Sequence, residues 1–319
     1  MSFVTSFASA TTGSKGCIAK TVNGRLELME VDLPLFDGGI LRNKLIDIKT
    51  LPENLVPDEQ GRYCYNLNDD RLAYVQMYYF ATVMVQDYNK ILNKIGQASI
   101  QALPIYLTKI TEPGKCLGNG EAKRDGLYLS FKDPSIEHTL IGHEISHMID
   151  YHLTKKYDLE ETSQSKSILE GTGNILAALS MQESIIDKLN IDEYVSIPFS
   201  DRFSGKHSYE LILSFLKNKE NECYADLDEI NSFMGQDFFQ SILEKSDPYV
   251  VSALISQPIW QAAKIFGFSK VKELYLKALI ELPLNNYQGL AQEIINQASD
   301  KEIKDYLRNA YLERGLEVI

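Results

Sequence analysis

The feature that most constrains this chain is a pair of histidines four residues apart, His143 and His147, with Glu144 directly after the first. Side chains four residues apart project from the same face of an α-helix, about one turn from each other. Both imidazoles can therefore reach a single metal ion if this segment is helical, with Glu144 at the edge of that face. The alternative interpretation is a surface helix with two histidines and a glutamate paired to a cation.

The residues around this motif predict a buried helix over residues 134–153. Asp133 can cap the free amides of the first turn, and Pro134 fits the first helical position because its missing N–H is not needed there. The back face of this helix is apolar and consists of Ile141, Ile145, Met148 and Ile149. An apolar back face indicates that the helix packs into a core.

The residue types of the motif predict a definite chemistry. Neutral imidazole is a good zinc ligand, and a zinc ion with three protein ligands keeps one position open for water. The ion lowers the pKa of that water to about 7, so hydroxide is available at neutral pH. A nearby carboxylate can take the proton from the water and later deliver it to a leaving amine. His143 and His147 as ligands, with Glu144 as general base, therefore predict hydrolysis of an amide bond.

Two imidazoles do not complete such a site, so a third ligand must follow in the chain. A ligand six residues after His147 would be Leu153, which cannot bind a metal, and His152 lies on the wrong face of the helix. The remaining candidates are carboxylates: Asp158, Glu160, Glu161 and Glu170. The first three lie in a charged stretch typical of a solvated loop. Glu170 lies in an apolar segment, where a charge needs a partner.

The apolar segment around Glu170 predicts a second helix over residues 166–182. Gly171 and Gly173 would weaken this helix unless close packing required them, and a close approach to the histidine helix is one such reason. Asn174 follows one turn after Glu170 and therefore projects from the same face of the predicted helix. Its amide oxygen can accept a hydrogen bond from the remote nitrogen of a ligating histidine, which fixes the tautomer of that histidine.

The first third of the chain has the pattern of strands and turns. Asn23-Gly24 lies between two apolar runs and indicates a β-hairpin. Apolar residues at helical spacing predict a long, largely buried helix over residues 70–95. Two further strands are predicted at residues 104–110 and 126–131, and the Gly- and Lys-rich stretch 113–120 between them is expected to be an exposed loop.

The remainder of the chain has a helical pattern, and the composition changes near residue 155. We therefore predict an α+β protein with a β-rich lobe of residues 1–154, which includes the motif helix, and a mainly helical lobe of residues 155–319. The helices predicted in the second lobe, beyond that of Glu170, span residues 207–219, 249–265, 268–282 and 287–315.

Composition limits the classes of partner. The chain has 319 residues and a formal net charge of −12, which repels the phosphate backbone of nucleic acid. No apolar run approaches the roughly 18 residues needed to cross a bilayer. The segment Met1–Ala10 lacks the basic start and long apolar run of a secretory signal.

The cysteines have no paired spacing and are expected to be free, buried thiols: Cys17, Cys64, Cys116 and Cys223.

Together these residues resemble the thermolysin-like branch of the gluzincin metallopeptidases, in which H-E-x-x-H is followed by a helix with a ligating glutamate. The segment His143–Tyr151 looks like the active-site helix of that family, and Ser167–Leu176 looks like its third-ligand helix. The resemblance implies bound zinc with Glu170 as a ligand, and Tyr157 near the place of a tyrosine that helps to hold the substrate carbonyl. It also implies a zincin fold with the active-site cleft between a β-rich and a helical lobe.

The chain departs from the family pattern at three points. The spacing from His147 to Glu170 is a few residues longer than usual, which needs only a longer loop. Asn174 stands where the family commonly has aspartate, and a neutral amide raises the basicity of the ligand less. Tyr249 stands in the place of the histidine that steadies the oxyanion. A phenol can donate the same hydrogen bond, and His207 is the other candidate donor.

The resemblance implies a zinc endopeptidase that acts on peptides or proteins, because the Gly-x-Met-Glu-Asn signature of the aminopeptidase branch is absent. Strand Gly126–Ser130 would be the cleft edge with which a peptide pairs. Relatives are usually secreted with a propeptide, which is not evident here, and often carry structural calcium. This chain has no spaced acidic loop, and Asp69-Asp70 is typical of a helix start. Two alternatives are a zincin-fold binding module that no longer cleaves, and a metal-dependent amidohydrolase of non-peptide substrates.

Overall fold

A computed structural model describes most of the first predicted lobe and about half of the second. The described residues are 14–22, 25–36, 41–110, 118–131, 134, 138–155, 163–182, 185–186, 189–190, 253–281, 286–312 and 316–319. Over these residues the protein forms seven helices, a four-stranded sheet and two two-stranded sheets. The predicted α+β class is therefore confirmed.

The first element of the described chain is the predicted hairpin. Strand β1 (Lys15–Val22) pairs antiparallel with β2 (Arg25–Asp32), and Val22 lies opposite Arg25. The connection therefore has two residues, as the Asn-Gly signal predicted. The hairpin is fixed to the long helix that follows in the chain, because the Ala19 N–H donates to the side-chain oxygen of Gln76 at 2.9 Å.

A disulfide joins the hairpin to the segment that precedes the long helix, so the expectation of free thiols was wrong for Cys17 and Cys64. These residues are 47 positions apart. Backbone hydrogen bonds bring the two segments together, because the Cys17 N–H donates to the Tyr63 carbonyl at 3.1 Å. Spacing along the chain does not reveal a contact of this range. Cys116 and Cys223 lie outside the described residues.

The predicted long helix is α1 (Arg71–Lys94), with 24 residues. It is buried on most sides, and Met77 and Tyr78 are fully buried. Helix α1 packs against the hairpin, the four-stranded sheet and the two motif helices. The prediction of a largely buried helix is confirmed, and this helix is the scaffold against which the candidate site is built.

The four-stranded sheet has the order β3-β4-β6-β5. Its members are β3 (Ile46–Ile48), β4 (Leu103–Lys109), β5 (Gly118–Lys123) and β6 (Gly126–Phe131). Strands β3, β4 and β6 are parallel to one another, and β5 is antiparallel to β6. The apolar side chains of β4 and β6, such as Ile105 and Leu129, point into the core.

This strand order corrects two expectations. Strand β6 pairs on both sides, with β4 and with β5, so Gly126–Ser130 is an interior strand and not the edge. The two edges are β3 and β5, and β5 is formed in part by Gly118–Gly120, which the sequence assigned to an exposed loop. Glycine weakens a strand, which is why its pattern suggested a loop, but it also allows another element to come close to the backbone.

The motif helix is α2 (His138–Thr154). It begins four residues later than predicted, because Pro134 lies in a turn and its carbonyl accepts a hydrogen bond from the Gln76 side chain at 3.1 Å. Asp133 lies outside the described residues. The predicted apolar back face is confirmed, since its four residues are buried: Ile141, Ile145, Met148 and Ile149.

The predicted helix around Glu170 is α3 (Ser163–Met181), and it packs tightly against α2. A Cβ atom on Gly142 of α2 would lie 2.3 Å from the terminal methyl of Met181. The helices therefore pack closely here, and a larger residue at position 142 would require the Met181 side chain to move. A short hairpin follows, formed by β7 (Ile185–Ile186) and β8 (Leu189–Asn190).

Four helices form the C-terminal part of the described chain: α4 (Ala253–Phe266), α5 (Phe268–Glu281), α6 (Tyr287–Gln297) and α7 (Lys301–Leu312). The single helix predicted over 287–315 is wrong, because the chain breaks after Gln297 and restarts after Asp300. The Asp300 side chain accepts from the Glu302 N–H at 2.9 Å and caps the new helix. The helix predicted at 207–219 lies outside the described residues.

The described parts of both predicted lobes share one hydrophobic core, which extends from Ala19 to Val318. Helix α3 connects them, because it packs against α2 on one side and α4 on the other. The boundary at residue 154 stays a prediction. None of the helices in the described ranges combines the length and apolar character that crossing a bilayer requires.

Candidate metal centre

The two histidines of the motif meet on one face of α2. Their Nε2 atoms lie 2.9 Å apart, and their rings are nearly perpendicular, with an interplanar angle of 89°. Both side chains are buried, with 4% of His143 and 6% of His147 exposed. The spacing of four residues therefore brings the Nε2 atoms of both rings to one small volume, as the sequence predicted.

Helix α3 brings Glu170 to the same volume. Its Oε2 atom lies 3.1 Å from Nε2 of His143 and 3.5 Å from Nε2 of His147. Burial would raise the pKa of this carboxyl, but hydrogen bonds from both imidazoles outweigh burial and hold the pKa well below its usual range. Glu170 is therefore an ionised carboxylate at neutral pH, which is the form that binds a metal.

The three side chains fit a metal ion. Their ligand atoms all lie within 4.8 Å of one another. A tetrahedral ion with bonds of about 2.0–2.1 Å places neighbouring ligand atoms roughly 3.3–3.4 Å apart, and the three observed separations are 2.9, 3.1 and 3.5 Å. Two imidazoles and one carboxylate suit zinc and several other transition metals. The site can therefore hold a metal ion, and its geometry leaves open which one.

Gly173 explains how α3 comes so close to the histidines. A Cβ atom at this position would lie 2.8 Å from Cε1 of His143 and 2.8 Å from Cε1 of His147. Any side chain would therefore push α3 away and separate Glu170 from the imidazoles. The sequence predicted a close approach at Gly171 or Gly173, and the contact with both rings is at Gly173.

Asn174 contacts the far side of the first histidine. Its Oδ1 atom lies 2.9 Å from Nδ1 of His143, and only 2% of the residue is exposed. With the proton on Nδ1, the imidazole donates to the amide oxygen, and Nε2 keeps its lone pair for a metal. The predicted orienting contact is therefore present in the structure.

Glu144 lies beside this cluster and directly under the edge strand β5. A Cβ atom on Gly120 would lie 2.0 Å from the carboxyl carbon of Glu144. Only 7% of Glu144 is exposed, and its carboxyl group contacts the backbone of Gly120. The sequence analysis missed Gly120. The signal that could have found it is the Gly-x-Gly pattern of Gly118–Gly120 next to a strand, since such glycines often mark a close approach.

Several predicted site residues lie outside the described part of the chain: Tyr157, His207 and Tyr249, together with the alternative ligands Asp158, Glu160 and Glu161. Their roles stay predictions. Within the described residues, the cluster of His143, His147 and Glu170 is the group of side chains that can hold a metal ion.

The acidic pair before α1 has protein partners. Asp69 pairs with Arg71 at 2.6 Å, and Asp70 pairs with Lys109 at 2.7 Å. These ion pairs border an open cavity of about 660 Å³, whose lining contains no member of the metal cluster. Helix α1 begins directly after this pair, as the sequence predicted.

Comparison with known proteins does not assign the chain to a family. A search against models of protein families found no match, and a search of curated protein sequences found no match either. The case for a function therefore depends on the chemistry of the cluster and its surroundings.

Proposed function

We propose that the protein is a zinc-dependent metalloendopeptidase of the thermolysin-like gluzincin type. The observation that carries this proposal is the buried cluster of His143, His147 and Glu170 with Glu144 beside it. These three residues would hold the zinc ion. Bound zinc supplies a polarised carbonyl and a water whose pKa is lowered to about 7.

Glu144 is the general base in this proposal. Its carboxylate accepts a proton from the attacking water and then donates it to the nitrogen of the leaving amine. Burial of the residue supports this role, because a carboxylate shielded from solvent exchanges protons with the substrate and not with bulk water. Asn174 keeps His143 in the tautomer that binds the metal.

Strand β5 supports a peptide as the substrate. It is one of the two edge strands of the four-stranded sheet over the described residues, and Gly120 presents bare backbone next to Glu144. An extended peptide that paired with this edge would pass the general base without meeting a side chain at that position. For the oxyanion we propose Tyr249 as the donor, with His207 as the alternative. Tyr157 is proposed to hold the substrate carbonyl.

The test is to compare wild type with Glu144→Gln, measuring metal content and cleavage of casein and of a peptide library. The variant is expected to retain about one zinc per chain and to lose roughly 10²–10⁴-fold in kcat, the usual contribution of general acid–base catalysis. Glu281→Gln is the control, because Glu281 is exposed at the end of α5.

Two results would replace this proposal with an alternative function. If wild type binds zinc but cleaves no peptide or other amide, the chain is a zincin-fold binding module. If it hydrolyses small amides but no peptide, it is an amidohydrolase of non-peptide substrates. If no metal binds to the wild-type protein, the metal centre itself is refuted.

A further inference from the structure

The two histidines of the cluster differ in what holds their remote nitrogens. Nδ1 of His143 has Asn174 as its partner at 2.9 Å. Nδ1 of His147 is buried and has no hydrogen-bond partner among the described residues. When Nε2 of His147 faces a metal, Nδ1 carries a proton, and a buried N–H without an acceptor is unfavourable. The structure therefore calls for an acceptor near this atom.

Helix α2 has two carboxylates three residues from His147: Glu144 before it, which is the proposed general base, and Asp150 after it. Asp150 follows His147 by three residues, so the two side chains lie on one face of α2. Side chains in a helix lean towards its N-terminus, which directs the Asp150 carboxylate back towards the imidazole. Asp150 is 1% exposed. A carboxylate buried to this degree requires donors close by.

Helices α3 and α5 both pack against α2 and against each other. The hydroxyl groups of Thr172 and Tyr275 lie 2.9 Å apart, and both residues are fully buried. Thr172 precedes Gly173, which touches the His147 ring. Burial raises the pKa of the Tyr275 hydroxyl, and the Asp150 carboxylate raises it further. Asp150 therefore acts electrostatically on the Tyr275 hydroxyl, which is hydrogen-bonded to Thr172 next to Gly173.

We propose that Asp150 is a positioning residue for His147. Its carboxylate accepts the Nδ1 proton, through one buried water or after a small rotation of the side chain, and so holds Nε2 towards the metal. This inference rests on the proposed metal centre. Asn174 stands where the thermolysin-like family commonly has an aspartate. In this proposal the negative charge that strengthens a ligating histidine therefore acts on His147 and not on His143.

The test measures zinc affinity of the metal-free protein by competition with a chelator, which is independent of catalysis. Asp150→Ala is expected to weaken zinc binding by about 10–100-fold, the usual cost of losing an outer partner. Asp150→Asn keeps an acceptor oxygen and is expected to lose less. Asp305→Asn is the matched control, because Asp305 lies on α7, away from the cluster, and about half of its side chain is exposed.

Proton NMR of the zinc-loaded protein gives a readout that a packing role would not change. The Nδ1 proton of His147 should be protected from exchange and shifted downfield in wild type, and it should move in Asp150→Asn. The proposal is overturned if wild type binds zinc and both Asp150 variants bind it within twofold. In that case this inference fails alone and the proposed metal centre stands. If wild type binds no metal, both the proposed function and this inference fail.

Discussion

Helix α3 carries two buried polar clusters that balance charge in different ways. Near its middle, Glu170 contacts two imidazoles and, within the described part of the chain, no ammonium or guanidinium group. At its C-terminal end, Ser180 lies between Asp87 of α1 and Lys272 of α5, and the Lys272 ammonium pairs with both. One cluster therefore contains its own cation, and the other does not.

This difference separates a structural cluster from a candidate metal site. Lys272 is 4% exposed, and burial lowers the pKa of its ammonium while Asp87 raises it. The pair connects three helices and needs no further ligand. The Glu170 cluster is buried more completely than the Asp87–Lys272 pair, and its carboxylate charge is balanced only when a cation enters. A metal ion is such a cation, which agrees with the ligand spacing.

The largest expected effect is on metal binding. Glu170→Gln should reduce zinc affinity by more than about a hundredfold, because even the loss of an outer partner costs about 10–100-fold. The stability of the metal-free protein should change little, since the amide keeps the shape and removes a buried charge. Chelator competition and denaturant unfolding without metal measure the two effects. Zinc affinity equal to that of wild type would show that Glu170 is not a ligand.

The second expected effect is on stability. Lys272→Met should lower the free energy of unfolding by about 3 kcal/mol, because removal of one partner leaves a partly buried charge. This value is at the low end of the usual range, since 35% of the Asp87 side chain is exposed. Zinc affinity should stay within about threefold of wild type. Denaturant unfolding and chelator competition are the measurements.

The double variant Lys272→Met/Asp87→Leu is the control for this prediction. Apolar replacement of a whole buried ion pair is often neutral, so the double variant should recover most of the lost stability. If Lys272→Met instead weakened zinc binding as strongly as Glu170→Gln, the two clusters would be one coupled unit and the contrast between them would be wrong.

The smallest expected effect concerns the orientation of His143. Asn174→Asp should increase zinc affinity several-fold, because a carboxylate that accepts the Nδ1 proton makes the imidazole a stronger ligand than an amide does. Asn174→Ala should have the opposite effect. Chelator competition measures both variants. A decrease in affinity with Asp would indicate that the cost of the buried charge exceeds its benefit at Nε2.

Local pattern was sufficient wherever the relevant contacts are close in sequence. The hairpin at Asn23-Gly24 and the buried helix α1 were predicted because turn chemistry and helical periodicity act over a few residues. Glu170 was predicted as a ligand because a charge in an apolar helix needs a partner. Asn174 was predicted to contact a histidine because it follows Glu170 by one turn. The same reasoning placed the start of α2 too early, since Pro134 is as suitable for a turn as for a first helical turn.

Long-range pairing was not accessible in this way. The Cys17–Cys64 disulfide joins residues 47 positions apart, and free thiols were expected instead. The edge of the sheet was assigned to β6, but β5 pairs with its outer side. Whether a strand is interior or at an edge depends on its neighbours, which the alternation of its own side chains does not report.

The sequence by itself determined the identity of the candidate ligands, because residues four apart on a helix share a face and because a buried carboxylate needs a partner. Only the tertiary structure decided that Gly173 lets α3 reach both imidazoles and that Gly120 lies against Glu144. These contacts arise from the packing of separate elements. Their distances are set by how closely backbones approach, which no local pattern encodes.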